Sequence, residues 1–138
     1  MMKRYKVIGL FTLLAMIILE LLPFGAVCNF AVAPDSGGGT IRQTFSYFDM
    51  TPFGYANFGP LLTAVLSAAF FLLFIVFLFA GMTRRRLNAL FGLSVAAVIT
   101  SVFPLFFGLS YYSLTGLAIS LLLVLMLFIL QLMKRYAD

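Results

Sequence analysis

Residues 31–60 read AVAPDSGGGTIRQTFSYFDMTPFGYANFGP, and this stretch differs from everything on either side of it. Before and after it the chain is almost continuous apolar sequence, so 31–60 is the one sizeable place where a folded, water-facing surface is expected. What the fold is depends on what the flanks are dissolved in. A chain of 138 residues that is 64% hydrophobic and 9% charged, with a mean hydropathy of +1.15, cannot hide that much apolar surface inside one small soluble core. The expected solvent for most of it is lipid.

Outward from 31–60, the nine cations mark the ends of the apolar runs. Lys3, Arg4 and Lys6 precede the first run, Arg84, Arg85 and Arg86 separate two later ones, and Lys134 and Arg135 follow the last; only Arg42 lies elsewhere. This is a positive-inside pattern, with Arg84, Arg85 and Arg86 setting the topology. The net charge of +5 does not point to nucleic acid, because no basic surface is interleaved with stacking aromatics. The three clusters fall on one face only if there are four spans, about 5–27, 60–82, 87–108 and 111–133, with both termini cytoplasmic. The expected fold is an all-α four-helix transmembrane bundle forming a single domain, in the bacterial cytoplasmic membrane. MMKRYK followed by an apolar body also suggests a signal peptide. Against cleavage, the apolar region is long and carries Glu20, Pro34 follows Ala31-Val32-Ala33, and Val27 stands before Cys28 where a lipoprotein signal needs a small residue. A retained first span is expected.

The loop 31–59 then lies on the outer face with two of the four acids, Asp35 and Asp49. Pro34-Asp35-Ser36-Gly37-Gly38-Gly39 is turn chemistry. Residues 41–48 are rich in β-branched and aromatic side chains and place Ile41, Gln43, Phe45 and Tyr47 on one side, which predicts a short strand. A lone strand has no hydrogen-bond partner, so it is expected to pair with residues 29–33 or to lie across the helix ends. Residues 49–60 alternate aromatics with turn residues, as at a headgroup-level belt. Phe45, Tyr47, Phe48, Phe53, Tyr55 and Phe58 form the predicted outer cap. Pro-Phe-Gly occurs at 23–25 and again at 52–54, where Pro and Gly close helices at the surface and Phe anchors them.

Helices in lipid associate through small residues. Ala64 and Ala68, Gly92 and Ala96, and Gly116 and Ser120 have small-xxx-small spacing, so spans two to four are expected to form the tight core, with span one held partly by the loop. Substituting Gly92 or Gly116 by Leu is then expected to harm the fold more than substituting Gly9. Glu20 is the one ionisable residue within an apolar run. At about 1.5 Å per residue it lies roughly 20 Å beyond Val7, in the outer third of the bilayer, where an acid is protonated, paired or near water. Thr63, Ser67, Thr100, Ser101, Thr115 and Ser120 count to the same half, and Arg42 is the outer cation able to reach down. Together these make a candidate intramembrane polar site, read either as proton- or cation-responsive or as a tie between span one and the bundle.

With no His and one Cys, the commonest transition-metal ligand and general base is absent from the chain, and so is an intramolecular disulfide. Cys28 reads as an apolar packing residue. Gly37-Gly38-Gly39 lacks the Gly-Lys-Ser/Thr of a phosphate cradle, and no serine has a base nearby in sequence. No cofactor, metal site or catalytic residue is expected, and the protein is expected not to be an enzyme. The run Tyr47-Phe48-Asp49-Met50-Thr51-Pro52-Phe53-Gly54-Tyr55-Ala56-Asn57-Phe58-Gly59-Pro60, with Glu20-Leu21-Leu22-Pro23-Phe24-Gly25, resembles small uncharacterised four-span membrane proteins of Gram-positive bacteria, and this implies no activity. In layout the chain is similar to claudin-like proteins, but the Trp and paired Cys of the claudin loop are absent.

Two functions fit. One is a non-enzymatic membrane protein presenting an aromatic extracytoplasmic cap to lipid, to another membrane protein or to a second copy. The other is a small transporter or channel subunit using Glu20.

Overall fold

The first apolar run folds as helix α1 (Met2–Leu21) in the computed structural model, which describes residues 2–31, 33–54, 57–109 and 112–137. The helix ends six residues before the expected boundary at 27. Pro23 cannot donate to a helical ladder and disfavours helical geometry at Leu22, so the last α-type bond runs from Leu22 N–H to the Ile18 carbonyl at 3.2 Å. Ala26 and Val27, expected in the span, open strand β1 (Ala26–Ala31) instead.

Strand β2 (Thr40–Phe45) pairs antiparallel with β1, from Ala26 opposite Phe45 to Ala31 opposite Thr40. The intervening turn passes through Gly37, Gly38 and Gly39, all at positive φ (107°, 68° and 83°), a region open to glycine at little cost. A paired strand in this segment was expected, but its partner is 26–31 and it stops at Phe45. Ser46 to Phe48 leave the sheet because Tyr47 turns down into the helices. A single helical turn, α2 (Thr51–Gly54), follows, with Asp49 Oδ1 accepting the Thr51 N–H at 2.8 Å. That backbone N–H holds the Asp49 carboxyl below its ordinary pKa.

Three long helices complete the chain: α3 (Gly59–Ala80), α4 (Arg84–Ser101) and α5 (Leu114–Lys134). Pro60 sits in the first turn of α3, where its missing N–H removes nothing. Between α3 and α4 the Thr83 hydroxyl accepts the Arg86 N–H (3.3 Å), while the Arg86 guanidinium donates to the Ala80 and Gly81 carbonyls (2.9 and 2.8 Å) and closes the end of α3. α4 was expected to continue to Gly108. It ends at Ser101 and passes into a 3₁₀ segment, Phe103–Phe107, that carries Pro104, since proline cannot donate the next α-type bond. Ser113 caps α5 by accepting the Gly116 N–H at 2.8 Å.

The protein is thus mostly helical, and α3, α4 with its 3₁₀ extension, and α5 are each long and apolar enough to span a membrane. The four long helices form a ring in the order α1, α5, α4, α3, with α1 closing more loosely on α3. Neighbours are antiparallel: Gly9, early in α1, faces Phe74 and Ile129, late in α3 and α5, and Ser101, at the end of α4, bonds to Ser120, early in α5. Leu13, Met16, Phe70, Phe74, Leu87, Leu90, Ile119, Met126 and Leu130 fill the interior. Large apolar side chains also cover the outside, with Phe79 89% exposed; in water this would be unfavourable, and in hydrocarbon it is the expected surface.

The three basic clusters meet at one end of the ring. Tyr5 packs on Tyr136 (5.8 Å between ring centroids), and Arg84 Nη2 donates to the Lys134 carbonyl (3.4 Å). The hairpin closes the opposite end.

This arrangement overturns the expected ranking for Gly92 but not for Gly116, where a Cβ would stand 3.0 Å from the Tyr47 hydroxyl oxygen. α1 lies along α5 as closely as α4 does, so span one belongs to the tight bundle. Gly92 points outward, and a Cβ built there meets nothing within 4 Å; at Gly9 the same atom stands 3.0 Å from Phe74 Cζ. The helical register of α4 turns Gly92 away from its neighbours and leaves Ala96 half-buried. Gly9→Leu is accordingly expected to destabilise the detergent-solubilised protein by roughly 1–3 kcal/mol through overpacking, while Gly92→Leu leaves the unfolding midpoint unchanged or raises it. A larger loss at Gly92 than at Gly9 would show that α4 is rotated otherwise.

Candidate functional site beneath the cap

Glu20 sits in the last turn of α1, 0% exposed, where the bundle meets the hairpin. Its carbonyl accepts the Tyr47 N–H at 2.9 Å, so the chain leaving β2 satisfies a helix-end acceptor. The Tyr47 side chain, 1% exposed, fills the space above. A Cβ at Gly25 would come within 2.8 Å of the ring, and one at Gly116 within 3.0 Å of the hydroxyl oxygen, so Tyr47 lies between two glycines that leave room for it. Burial, then the neighbouring Tyr112 and Glu20, push the Tyr47 phenol well above its ordinary pKa, and it stays neutral.

Further bonds stitch the hairpin to the helices. Ser113 Oγ donates to the Gly25 carbonyl (2.6 Å), Asn57 Nδ2 donates to the Val27 carbonyl (2.8 Å), and Ala26 forms an antiparallel bridge with Tyr112. An isolated two-stranded hairpin is marginal in water; this one is held by buried hydrogen bonds to the helical part of the chain.

The hydroxyls predicted around Glu20 mostly serve one another. The Thr63 and Thr100 hydroxyl oxygens are 2.8 Å apart and join α3 to α4, each also reaching a carbonyl of its own helix. Ser120 donates to Ser101 (2.9 Å), Ser101 donates to the Val98 carbonyl (2.7 Å), and Tyr112 Oη lies 2.5 Å from Ser120 Oγ. These chains tie α3, α4 and α5 together, and neither reaches Glu20. Ser67 alone of the candidate hydroxyls faces the Glu20 carboxyl, yet both Glu20 oxygens and Ser67 Oγ are buried without a protein hydrogen-bond partner. Arg42 is exposed on β2 opposite Asn29 and makes no hydrogen bond to Glu20.

The cap aromatics are mainly turned inward. Tyr47 is buried, and Phe45 and Phe48 are half-buried against the core; Phe58 is exposed at the start of α3. Tyr55 lies outside the described residues, as does the Phe53 side chain. Ile41, 58% exposed, and Met50, 73% exposed, join Phe58 as large apolar side chains that the cap shows outward among the described residues. Arg84, Arg85 and Arg86 stand at the opposite end. Tyr112, Ser113 and Asn57, which anchor the cap, were not anticipated; a serine just before a long apolar helix is an N-cap signal that identifies at least Ser113.

Chemically, a buried carboxyl facing one hydroxyl, without a protein hydrogen-bond partner, stabilises nothing in the closed bundle. Glu20→Leu is therefore expected to raise the unfolding midpoint in detergent or leave it unchanged, and Glu20→Gln to leave it unchanged. A fall of several degrees in both variants would reveal an interaction of the acid beyond those of the closed bundle. Comparison of the chain with known protein families, curated proteins and solved structures finds no match.

Proposed function

We propose that this is a non-enzymatic four-span protein of the bacterial cytoplasmic membrane, with both termini cytoplasmic, whose hairpin cap docks an extended segment of another membrane protein at the extracytoplasmic face. Support for the fourth span comes from depth. α1 runs beside α3 and α5, with Gly9 against Phe74 and Ile129, so a hydrocarbon slab containing those helices contains α1 as well. Lys3, Arg4 and Lys6 then lie at the same surface as the other two basic clusters.

The observation that carries the docking role is the state of β2. Thr40, Ile41, Arg42 and Gln43 are exposed, and the outer edge of β2 pairs with no other strand among the described residues, while the hairpin is held through Tyr47, Asn57 and Ser113. A rigidly mounted open edge suits strand addition, in which main-chain bonds supply affinity and an alternating side chain such as Ile41 supplies selectivity. The inward-facing aromatics build the mount, and the display falls to β2 and Met50.

A photo-crosslinking side chain placed at Ile41 or Gln43 in cells is expected to give one discrete adduct that the same group at exposed Asp35 does not give. No adduct, or equal adducts at all three positions, would contradict the proposal. The unpartnered Glu20 and Ser67 favour a second reading, a small transporter or channel subunit. That reading needs a wet path to a carboxyl that is now covered by Tyr47, and transport that survives Glu20→Gln would exclude it.

A further inference from the structure

We infer that the groove between the start of α4 and the end of α5 is a binding site for the phosphodiester headgroup of an anionic phospholipid. It is an open cavity of about 480 Å³ lined by Arg84, Gln131, Lys134 and Arg135. Arg84 and Arg135 are exposed, Arg84 is drawn toward α5 by its bond to the Lys134 carbonyl, and the Lys134 ammonium lies 4.6 Å from the Phe91 ring centroid. Among the described residues no acid lies at this end, since Glu20, Asp35 and Asp49 all belong to the cap end. The helix termini do not change the balance: the C-terminus of α5 brings about half a negative charge and the N-terminus of α4 about half a positive one. Three side-chain cations and the Gln131 amide donor thus line one groove with no acid among the described residues to offset them, Asp138 lying outside those residues, and a guanidinium pair matches the fork of a phosphodiester.

A lipid, rather than a free phosphate, is indicated by what adjoins the groove. Leu121, Leu125 and Phe128 are exposed on α5, and at spacings of four and three residues they form one stripe that continues into Gln131 and Arg135. An acyl chain laid along this stripe brings its headgroup to the cations. The site's role beyond orientation is to fix one anionic lipid where the α3–α4 turn meets the C-terminal end of α5. This rests on the membrane-spanning reading, but not on which face is cytoplasmic.

The test is binding to the full chain in a neutral detergent, by native mass spectrometry and by thermal unfolding, with phosphatidylglycerol, phosphatidylcholine or inorganic phosphate added. Phosphatidylglycerol is expected to bind and raise the midpoint, and the other two are not. Two cations at about a factor of five each make the R84Q/R135Q variant roughly 30-fold weaker. K3Q/K6Q, which removes as much charge elsewhere at the same end, is expected to stay within about threefold, and R135Q alone serves if the double variant does not fold. Equal binding of the two lipids, an equal loss in K3Q/K6Q, or protection by inorganic phosphate would overturn the site. Because binding is measured in detergent, its failure is distinguishable from failure of the four-span topology.

Discussion

Replacing Tyr47 by alanine is expected to loosen the hairpin from the bundle and to destabilise the protein by roughly 3–5 kcal/mol, the range for emptying a fully buried aromatic site. The size follows from where the ring is. It is 1% exposed, pressed against Gly25, with its hydroxyl over Gly116, and its backbone N–H holds the end of α1 at Glu20. Gly25 and Gly116, which it lies against, have no side chains to fill the space. Tyr47→Phe keeps the ring and is expected to cost less than about 1.5 kcal/mol. Chemical unfolding in detergent measures both, and protease cleavage in the Gly37–Gly38–Gly39 turn reports the hairpin. If alanine costs no more than phenylalanine, the ring is not what holds the cap.

Gly59→Val is expected to have a comparable effect through the opposite mechanism. A Cβ at Gly59 would lie 2.6 Å from the Thr100 carbonyl oxygen, 2.9 Å from Phe103 Cβ and 2.9 Å from Pro104 Cδ. Two of these atoms are backbone or ring atoms with no rotamer to escape through, so α3 and α4 must separate and the Thr63–Thr100 contact is strained. Overpacking of this kind costs about 1–3 kcal/mol at the first added carbon, and the branched side chain adds to it; Gly59→Ala gives the smaller step on the same scale. The unfolding midpoints should fall in the order glycine, alanine, valine. Equal midpoints would mean that the α3–α4 crossing is wider than described.

These two sites show what the sequence could and could not yield. The helical runs and their common basic end were legible because lipid solubility and cation placement are properties of single segments. The hairpin was legible in kind, since Pro34 to Gly39 is turn chemistry and a strand needs a partner. The length of α1 was misjudged even though Pro23 and Gly25 were in view, because Ala26, Val27 and Cys28 are apolar and read as a continuing span; only their pairing with 43–45 makes them a strand. The inward turn of Tyr47 was not legible at all. An aromatic at headgroup depth reads as a belt, and its burial depends on glycines 22 residues before it and 69 after it. The candidate polar site fared similarly. Depth puts the hydroxyls in one group, but helix rotation decides that Thr63 meets Thr100 and Ser101 meets Ser120, leaving Glu20 with Ser67. Rotation also turned Gly92 outward.

The most direct test of the proposed architecture is which side of the membrane each end of α1 occupies. Cys28 is buried, and burial raises its thiol pKa, so it reacts poorly, and Cys28→Ala removes it entirely. In that background single cysteines at Lys3, Asp35 and Ala137 are treated in intact cells with a membrane-impermeant maleimide. The four-span arrangement is expected to give labelling at position 35 in intact cells and at positions 3 and 137 only after permeabilisation. Labelling at position 3 in intact cells would show that α1 does not cross, and would contradict the account.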